Sequence, residues 1–488
     1  MSNLKRQGTK AFIWDFFGKM AIHGMGFVVT IFLARLLEPS DFGLIAMIMV
    51  IIGIATVFTD VGLGAALIQR KRVLPIHYSS VFYFNILVGF LLTLLTYLSA
   101  SWVSNFYNSE QLLPITQVMS LLFFINAFSS VQSTRLRKEL NYPLLTKVSF
   151  ISSLLSGIVG VSLAFWGAGV WSLVIQTLAM GIIYNILIWS EGHWRPSLEF
   201  SGKALKQLWG FGFRMFLSGM LDAIFMRIDF LIIGKLFPVA TLGYFQRAKS
   251  LNGMVVQYSS GSLMAVLFPV LSKVQNDLPR FQNIILKSLG IISFITFMLL
   301  GGLYLISEEL IVLLFSEKWL PSVDMFKILV LSGFSYPISA LLVNILSSRG
   351  NSKAFLRLEI YKKLIASVTF MVLYFWGINA FLYGLIIQAI LGVSLNILFA
   401  TKEIYLPFLS FVKPILVQMS ISILSILISF FIIQNIVFMD IIMLIIKGFL
   451  FLLLYLLLNY ILETSSFKYF LEQVIPIVKE KFGEKAKD

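Results

Sequence analysis

Charged side chains inside long apolar runs are the residues through which this sequence could do chemistry. An ionisable group held in hydrocarbon costs at least about 2.5–3.5 kcal/mol, so one that persists there faces protein, water or an opposite charge. Asp15, Lys19 and His23 recur every fourth residue in the first apolar run, which sets them on one helix face. Asp60 closes the next run. A hairpin turning near residue 38 brings Asp60 to the depth of Lys19, within reach of an ion pair. This stripe reads either as the lining of a polar cavity or as interfacial structure, with Asp15 and Lys19 snorkelling to headgroups and His23 satisfied within the protein. A second concentration holds Arg214, Asp222, Arg227 and Asp229 in one run and Arg247 and Lys249 in the next. Asp222 and Asp229 share a face, and a turn near residue 238 sets Asp229 level with Arg247 and Lys249. A structural ion-pair network is one reading. A single pair would stitch two helices, however, and the gathering of several charges of both signs favours a functional cluster.

Other chemistries find no residues to carry them. The sequence has no cysteine, and His23, His77 and His193 are widely scattered, so thiolate chemistry and a histidine metal site are not expected. It contains neither a phosphate-binding Walker loop nor a His-Glu-x-x-His pair. The longest predicted connection, 191–207, is too short for a nucleotide-binding domain. No cofactor is expected, and an ion gradient is left as the energy source, for which intramembrane titratable groups are suitable couplers. Arg35 and Lys235 sit at corresponding outer helix ends, and Arg135 and Arg349 at inner ends. They read as interfacial anchors or as cations at the two mouths of an anion pathway. Lys327 and Lys447 also fall within apolar runs, with no role evident from sequence.

The elements that must position these charges are transmembrane helices. Of 488 residues, 58% are hydrophobic and 12% charged, about half the charge of a soluble domain. The apolar runs are continuous rather than alternating, which excludes a barrel. Polar breaks delimit helices near 11–36, 42–68, 78–100, 112–135, 144–166, 169–190, 208–235, 242–271, 284–306, 322–347, 359–376, 379–400, 413–434 and 440–461. The fold class is thus an all-α polytopic membrane protein of about 14 transmembrane helices. Alternate connections are basic (Arg70, Lys71 and Arg72; Arg135, Arg137 and Lys138; Arg195, Lys203 and Lys206; Lys273 and Arg280; Arg349, Lys353 and Arg357; Lys402), and the others are not. Basic loops stay in the cytoplasm, which puts both termini there. The net charge of +15 is then topological, and no nucleic acid is expected. Asp15, Lys19 and His23 interrupt the first run, so it reads as a permanent helix and not as a cleaved signal. The segment Phe467 to Phe482 reads as an amphipathic surface helix or as a solvated tail.

The chain repeats itself. Ala34-Arg35-Leu36-Leu37 with Gly43 returns 200 residues later as Gly234-Lys235-Leu236-Phe237 with Gly243. Phe165-Trp166-Gly167 returns as Phe375-Trp376-Gly377, and Asn185-Ile186-Leu187 as Asn396-Ile397-Leu398. Conserved order and spacing indicate a true repeat. Six helices per copy make it a parallel one. The expected organisation is two pseudo-symmetric six-helix lobes, 1–200 and 201–405, an extra helix pair at 406–465 and a cytoplasmic tail at 466–488.

The run Ala34-Arg35-Leu36-Leu37-Glu38-Pro39-Ser40-Asp41-Phe42-Gly43-Leu44-Ile45-Ala46-Met47 resembles a signature of Wzx-type bacterial polysaccharide exporters. So do Asp60-Val61-Gly62-Leu63-Gly64-Ala65-Ala66-Leu67-Ile68-Gln69 and Tyr244-Phe245-Gln246-Arg247-Ala248. The resemblance is to colanic-acid and teichuronic-acid exporter-like members of the multidrug/oligosaccharidyl-lipid/polysaccharide flippase superfamily. It implies a transporter, not an enzyme, that flips an undecaprenyl-diphosphate-linked oligosaccharide across the bacterial cytoplasmic membrane by alternating access, for exopolysaccharide or lipopolysaccharide synthesis. Membrane lipids, a polymerase and other assembly proteins are the partners it implies. By their placement in the helices, and not by a matched motif, Arg214, Arg227, Arg247 and Lys249, with Lys19 and His23, are candidates for the anionic substrate that the resemblance implies. Asp15, Asp60, Asp222 and Asp229 are candidates for ion coupling or gating. Helices 13 and 14 would help hold the polyprenyl tail. A multidrug cation antiporter would want more carboxylates in the cavity. A membrane polymerase or glycosyltransferase would want a larger outer loop than 307–321, which holds Glu308, Glu309 and Glu317.

Overall fold

A computed structural model describes residues 2–192, 194–436 and 438–472, and the side chains it describes exclude those of 2–13, Asp15, 255–266, 268 and 269. His193 and the tail beyond 472 therefore lie outside the described residues. In chain order the helices are α1 (Ser2–Leu36), α2 (Pro39–Asp60), α3 (Leu63–Gln69), α4 (Pro75–Leu98), α5 (Ala100–Tyr107), α6 (Leu112–Lys138), α7 (Tyr142–Phe165), α8 (Val170–Glu191) and α9 (Gly202–Leu236). They continue as α10 (Val239–Lys273), α11 (Leu278–Leu305), α12 (Ser307–Phe315), α13 (Pro321–Ser332), α14 (Ser335–Ser348), α15 (Ser352–Ile404), α16 (Phe408–Ile433) and α17 (Asp440–Ile461). Among the described residues there is no strand. Among the described residues, eleven helical segments are long and apolar enough to cross a membrane. That number counts α15 once and includes neither α9 nor α10.

Helix starts follow local chemistry. Pro39, Pro75 and Pro321 open their helices, where a missing N–H costs nothing. The side chains of Asn141, Ser201 and Asn351 accept from the third residue of α7, α9 and α15, satisfying one otherwise orphan amide in each case. Two expected single helices are interrupted. The 42–68 run breaks after Asp60, where Val61 and Gly62 take φ of 44° and 70°. A Cβ at Gly62 would lie 2.2 Å from the Gly212 carbonyl oxygen, so α9 crosses here at backbone contact. The 322–347 run divides at Gly333 into α13 and α14. The connection at 307–321, expected as an outer loop, carries α12 and a short 3-10 turn at Glu317–Trp319. The expected break at 377–379 is a bend inside α15, where Gly377 has φ 84° and ψ −176°.

Close contacts divide the chain into two units, Met1–Gln246 and Arg247–Asp488. The repeat boundary at 200 marks where the sequence pattern restarts. The packing boundary falls later because α9 lies along α2 and α3. In the first unit α1 packs on α7, α7 on α8, and α4 on α6. Small residues at helical spacing on α7 allow this: a Cβ at Gly157 would meet Val29 of α1, and one at Gly160 would meet Gln176 of α8. In lipid, close packing of this kind replaces the hydrophobic driving force. The side chain of Asn185 on α8 donates to the Ile125 carbonyl of α6.

In the second unit α11 packs on α16 and α17, and α14 on α15. Asn396, the repeat partner of Asn185, donates to Ser339 of α14 at 2.7 Å, so both copies tie corresponding helices with the same residue. The extra pair α16 and α17 is tied to α11 by a buried polar network. The Tyr455 hydroxyl has both the Phe294 carbonyl, at 2.9 Å, and Gln418 Oε1, at 2.6 Å, as acceptors for its one proton. Gln418 donates to Asn459, and Ser422 to the Phe297 carbonyl. Lys447 pairs with Glu309 of α12, which gives this intramembrane cation a structural role. Of the segment 467–482, the described part is docked on α11: the rings of Phe467 and Phe470 lie tilted against Phe294 at 5.5 and 5.0 Å, and Lys287 pairs with Glu472. Apolar side chains on the outside of both units, Leu98, Trp166, Trp376 and Phe449 among them, are exposed, as lipid-facing residues must be.

Candidate functional site

Asp60 ends α2 with its carboxylate turned toward the start of α3. Both oxygens accept from the Gly64 amide, at 3.0 and 2.9 Å. Asn85 of α4 donates to Oδ1 at 3.3 Å, and Ser130 of α6 at 3.5 Å. Asn85 is fully buried, and its own Oδ1 accepts no hydrogen bond. The ion pair expected between Asp60 and Lys19 is therefore not formed. The depth argument assumed that α1 and α2 lie side by side, whereas α1 lies along α7, its Trp14 carbonyl accepting from Thr146. Lys19 and His23 are exposed on α1. The side chain of Asp15 lies outside those described.

On α9 the charges separate by depth in the protein. Arg214 and Asp222 are exposed. Arg227 is half-buried and donates through Nη1 to the Met49 carbonyl of α2 at 2.9 Å. Its guanidinium lies flat on Gly53, where a Cβ would fall 2.1 Å from Nε. Asp229 is buried, accepts from the Phe230 amide at 2.9 Å, and its charge acts on Arg227. An isolated glycine in an apolar helix signals close packing, and Gly53 is the signal that could have located this contact in the sequence. The polar shell of Asp60 had no comparable signal, since Asn85 and Ser130 follow no motif. In the second unit Arg247 is buried between aromatic rings, 5.5 Å from Phe315 and 5.6 Å from Trp319, a cation–π clasp. Lys249, two residues further along the same helix and so on nearly its opposite face, is half-buried.

The anchors have ordinary partners. Lys235 donates to the Phe106 carbonyl and lies 5.0 Å over that ring, while Arg35 is exposed. Arg135 pairs with Glu139 at 2.6 Å. Arg349 pairs with Glu403 at 3.5 Å and donates to the Gln275 carbonyl. Among the described residues no cluster of metal-ligating side chains occurs.

The repeated glycines are explained by geometry. A Cβ at Gly43 would lie 2.0 Å from the Val239 carbonyl oxygen, and one at Gly243 would lie 1.9 Å from that of Pro39. Each glycine thus sits on the first residue of the other's helix, a two-fold contact between the starts of α2 and α10.

A family described as "Polysaccharide biosynthesis protein" matches residues 32–324, more than half of the chain. The chain belongs to this family. Among similar members, a membrane protein of the cps region of Klebsiella pneumoniae is 26% identical over 80% of this chain and 81% of its own length. The teichuronic acid biosynthesis protein TuaB of Bacillus subtilis is 27% identical over 57% of this chain and 58% of its own. The lipopolysaccharide biosynthesis protein WzxC of Escherichia coli is 24% identical over 68% of each chain. Among solved structures, the lipid II flippase MurJ in an inward closed conformation has a TM-score of 0.71 at 16% identity, covering 93% of this chain and all of that one. An inward-facing MATE multidrug transporter of the MOP superfamily has a TM-score of 0.62 at 14% identity, covering 81% of this chain and 98% of that one. This polysaccharide biosynthesis protein therefore has the fold of the MOP transporters, as its sequence motifs led one to expect.

Proposed function

We propose that this chain is a flippase that moves a lipid-diphosphate-linked oligosaccharide, the repeat unit of a polysaccharide, from the inner to the outer leaflet of the bacterial cytoplasmic membrane. The observation that carries the reading is the family match over residues 32–324 on a helical scaffold whose charges lie within the helices. The family is described by polysaccharide biosynthesis, two of its curated relatives are named for teichuronic acid and lipopolysaccharide biosynthesis, and the fold likeness adds the scaffold of the lipid II flippase MurJ. The reaction is translocation and breaks no bond.

The physical problem is the diphosphate, whose unpaired charge is very costly in hydrocarbon. Arg214, Arg227, Arg247 and Lys249, with Lys19 and His23, are proposed to receive it, guanidinium groups pairing bidentately with phosphate oxygens. Arg227 is held in this conformer by the neutral Met49 carbonyl, a partner that a phosphate outcompetes. Asp15, Asp60, Asp222 and Asp229 are proposed for coupling to an ion gradient or for gating. Asp60 is the best built of these, with a neutral shell of amide and hydroxyl donors. Fourteen spans follow if α9, α10 and both halves of α15 cross, leaving both termini in the cytoplasm. The two six-helix repeats are the rocking bodies, and a polymerase and other assembly proteins take the product. A basic set of candidates fits an anionic glycolipid better than the organic cations of multidrug exporters.

Depletion of the protein in a cell making the polysaccharide tests this. Lipid-linked repeat units then accumulate inaccessible to impermeant glycan-modifying reagents. Surface-exposed repeat units at the normal level, or elongated product made by the purified protein, would overturn the proposal.

A further inference from the structure

The first unit contains a cavity of about 630 Å³ that none of the candidate charges on α9 or α10 lines. It opens where Trp14 of α1, the end of α6, the start of α7 and the end of α8 meet. Its volume lies in the range of small-molecule sites, roughly 300–1,000 Å³. Two ion pairs border it: Arg135 with Glu139 at 2.6 Å and Lys147 with Glu191 at 2.7 Å. Between them Gln132 is almost fully buried, and its Oε1 accepts no hydrogen bond. The amide is lodged against the chain at Gly192, where a Cβ would lie 1.7 Å from Nε2. Trp14 is exposed on one wall, and Trp194 lines another, anchored among Phe82, Tyr78 and Trp189.

We infer that this cavity is a saccharide-binding site, which holds a sugar of the lipid-linked substrate at the membrane face before translocation. The inference rests on the proposed function for its carrier lipid. Charge selects the ligand class. Two cations face two carboxylates, so the lining is neutral, and it offers no excess charge to a diphosphate or to an organic cation. Each ion pair sets a donor beside an acceptor, the pattern that a hydroxyl group, both donor and acceptor, completes. Pairs exposed to this degree are weakly held and exchange partners readily. Gln132 supplies a buried acceptor for one further hydroxyl, and such an acceptor is normally satisfied. The tryptophans offer apolar faces with a polar edge, suited to a ring that is apolar on its C–H side. The nearest competitor is a zwitterionic lipid headgroup, which the lining would also balance in charge and whose ammonium can donate to the buried acceptor, but which has no ring to lay against the tryptophan faces.

Because the chain lacks cysteine, Leu144→Cys on the cavity wall makes a single reporter. Its alkylation by a maleimide is followed in nanodiscs with three probes: a polyprenyl diphosphate bearing one neutral hexose, the same lipid without sugar, and phosphatidylethanolamine. The hexosyl lipid is expected to protect and the other two not. Gln132→Leu should weaken protection about fivefold, the worth of one neutral hydrogen bond. Gly192→Ala should do the same by displacing Gln132, without removing a polar group. Equal protection by either sugar-free lipid, or none by the hexosyl lipid, overturns the inference. Translocation of the hexosyl lipid is scored separately in proteoliposomes. Transport without protection removes this site and leaves the function standing, whereas protection without transport does the reverse.

Discussion

Gly243→Ala is the substitution on which the geometry speaks most sharply. The added Cβ would fall 1.9 Å from the Pro39 carbonyl oxygen, against an ordinary C···O separation of about 3.3 Å. The obstacle is backbone, so no side-chain rotation relieves it, and the starts of α2 and α10 must part by roughly 1.4 Å. Overpacking of this kind costs about 1–3 kcal/mol, and replacing a helical glycine by alanine returns about 0.5–1 kcal/mol. The net effect reaches about 2 kcal/mol, or roughly thirtyfold in an equilibrium. If alternating access opens these ends in the opposite state, the variant shifts the population toward that state. Ala46, one turn further along α2 and buried, is the reporter: Ala46→Cys in this cysteine-free chain should be alkylated by an impermeant maleimide some ten- to thirtyfold faster in the Gly243→Ala background. Gly43→Ala, which meets the Val239 carbonyl at 2.0 Å, should act alike, and the double variant should add little to either. Unchanged alkylation together with unchanged thermal stability would refute the two-fold contact as a constraint.

Gly53→Ala evicts the guanidinium of Arg227 and with it the bond to Met49, a loss of about 1.5–3 kcal/mol for a charged donor. In an Arg227→Met background the same change should stabilise, by about 0.5–1 kcal/mol, so thermal unfolding of the four-member cycle must show a reversal of sign. Tyr455→Phe removes the buried hydroxyl whose single proton is shared between the Phe294 carbonyl of α11 and Gln418 Oε1 of α16 and should cost about 1–3 kcal/mol in denaturation assays. Lys447→Met leaves Glu309 unpaired where only 9% of its side chain is exposed, a loss of about 3–5 kcal/mol. Adding Glu309→Met should restore most of the melting temperature, and failure to restore any would remove the pair from the account.

Composition and periodicity made the helical membrane class legible, because lipid-facing helices must be apolar along their whole length. Breaks that depend on close backbone approach were not. Nothing at Val61-Gly62 announces that α9 crosses there, and α12 hides in a segment that reads as a loop. The motif pair Gly43 and Gly243 was visible as a repeat, yet its cause, each glycine seated on the other helix's first carbonyl, needed coordinates. Among the candidate charges, helix periodicity identified faces but not neighbours. It paired Asp60 with Lys19 by depth, when α1 belongs beside α7 and Asp60 is satisfied by Gly64, Asn85 and Ser130. Arg227 was singled out as a charge within a long helix, but its seat on Gly53 is a property of packing. The cavity at Gln132 left no trace in the sequence because its parts come from four separate helices.

The central claim is that this chain carries a charged glycolipid across the bilayer without changing it. Purified protein should be placed in proteoliposomes with a fluorescent polyprenyl-diphosphate oligosaccharide, and its appearance in the outer leaflet followed by an impermeant quencher. Translocation well above protein-free vesicles is predicted, and its loss in Arg227→Ala and Asp222→Ala proteins that still insert. Translocation no faster than in empty vesicles, or full activity in both variants, would contradict the account.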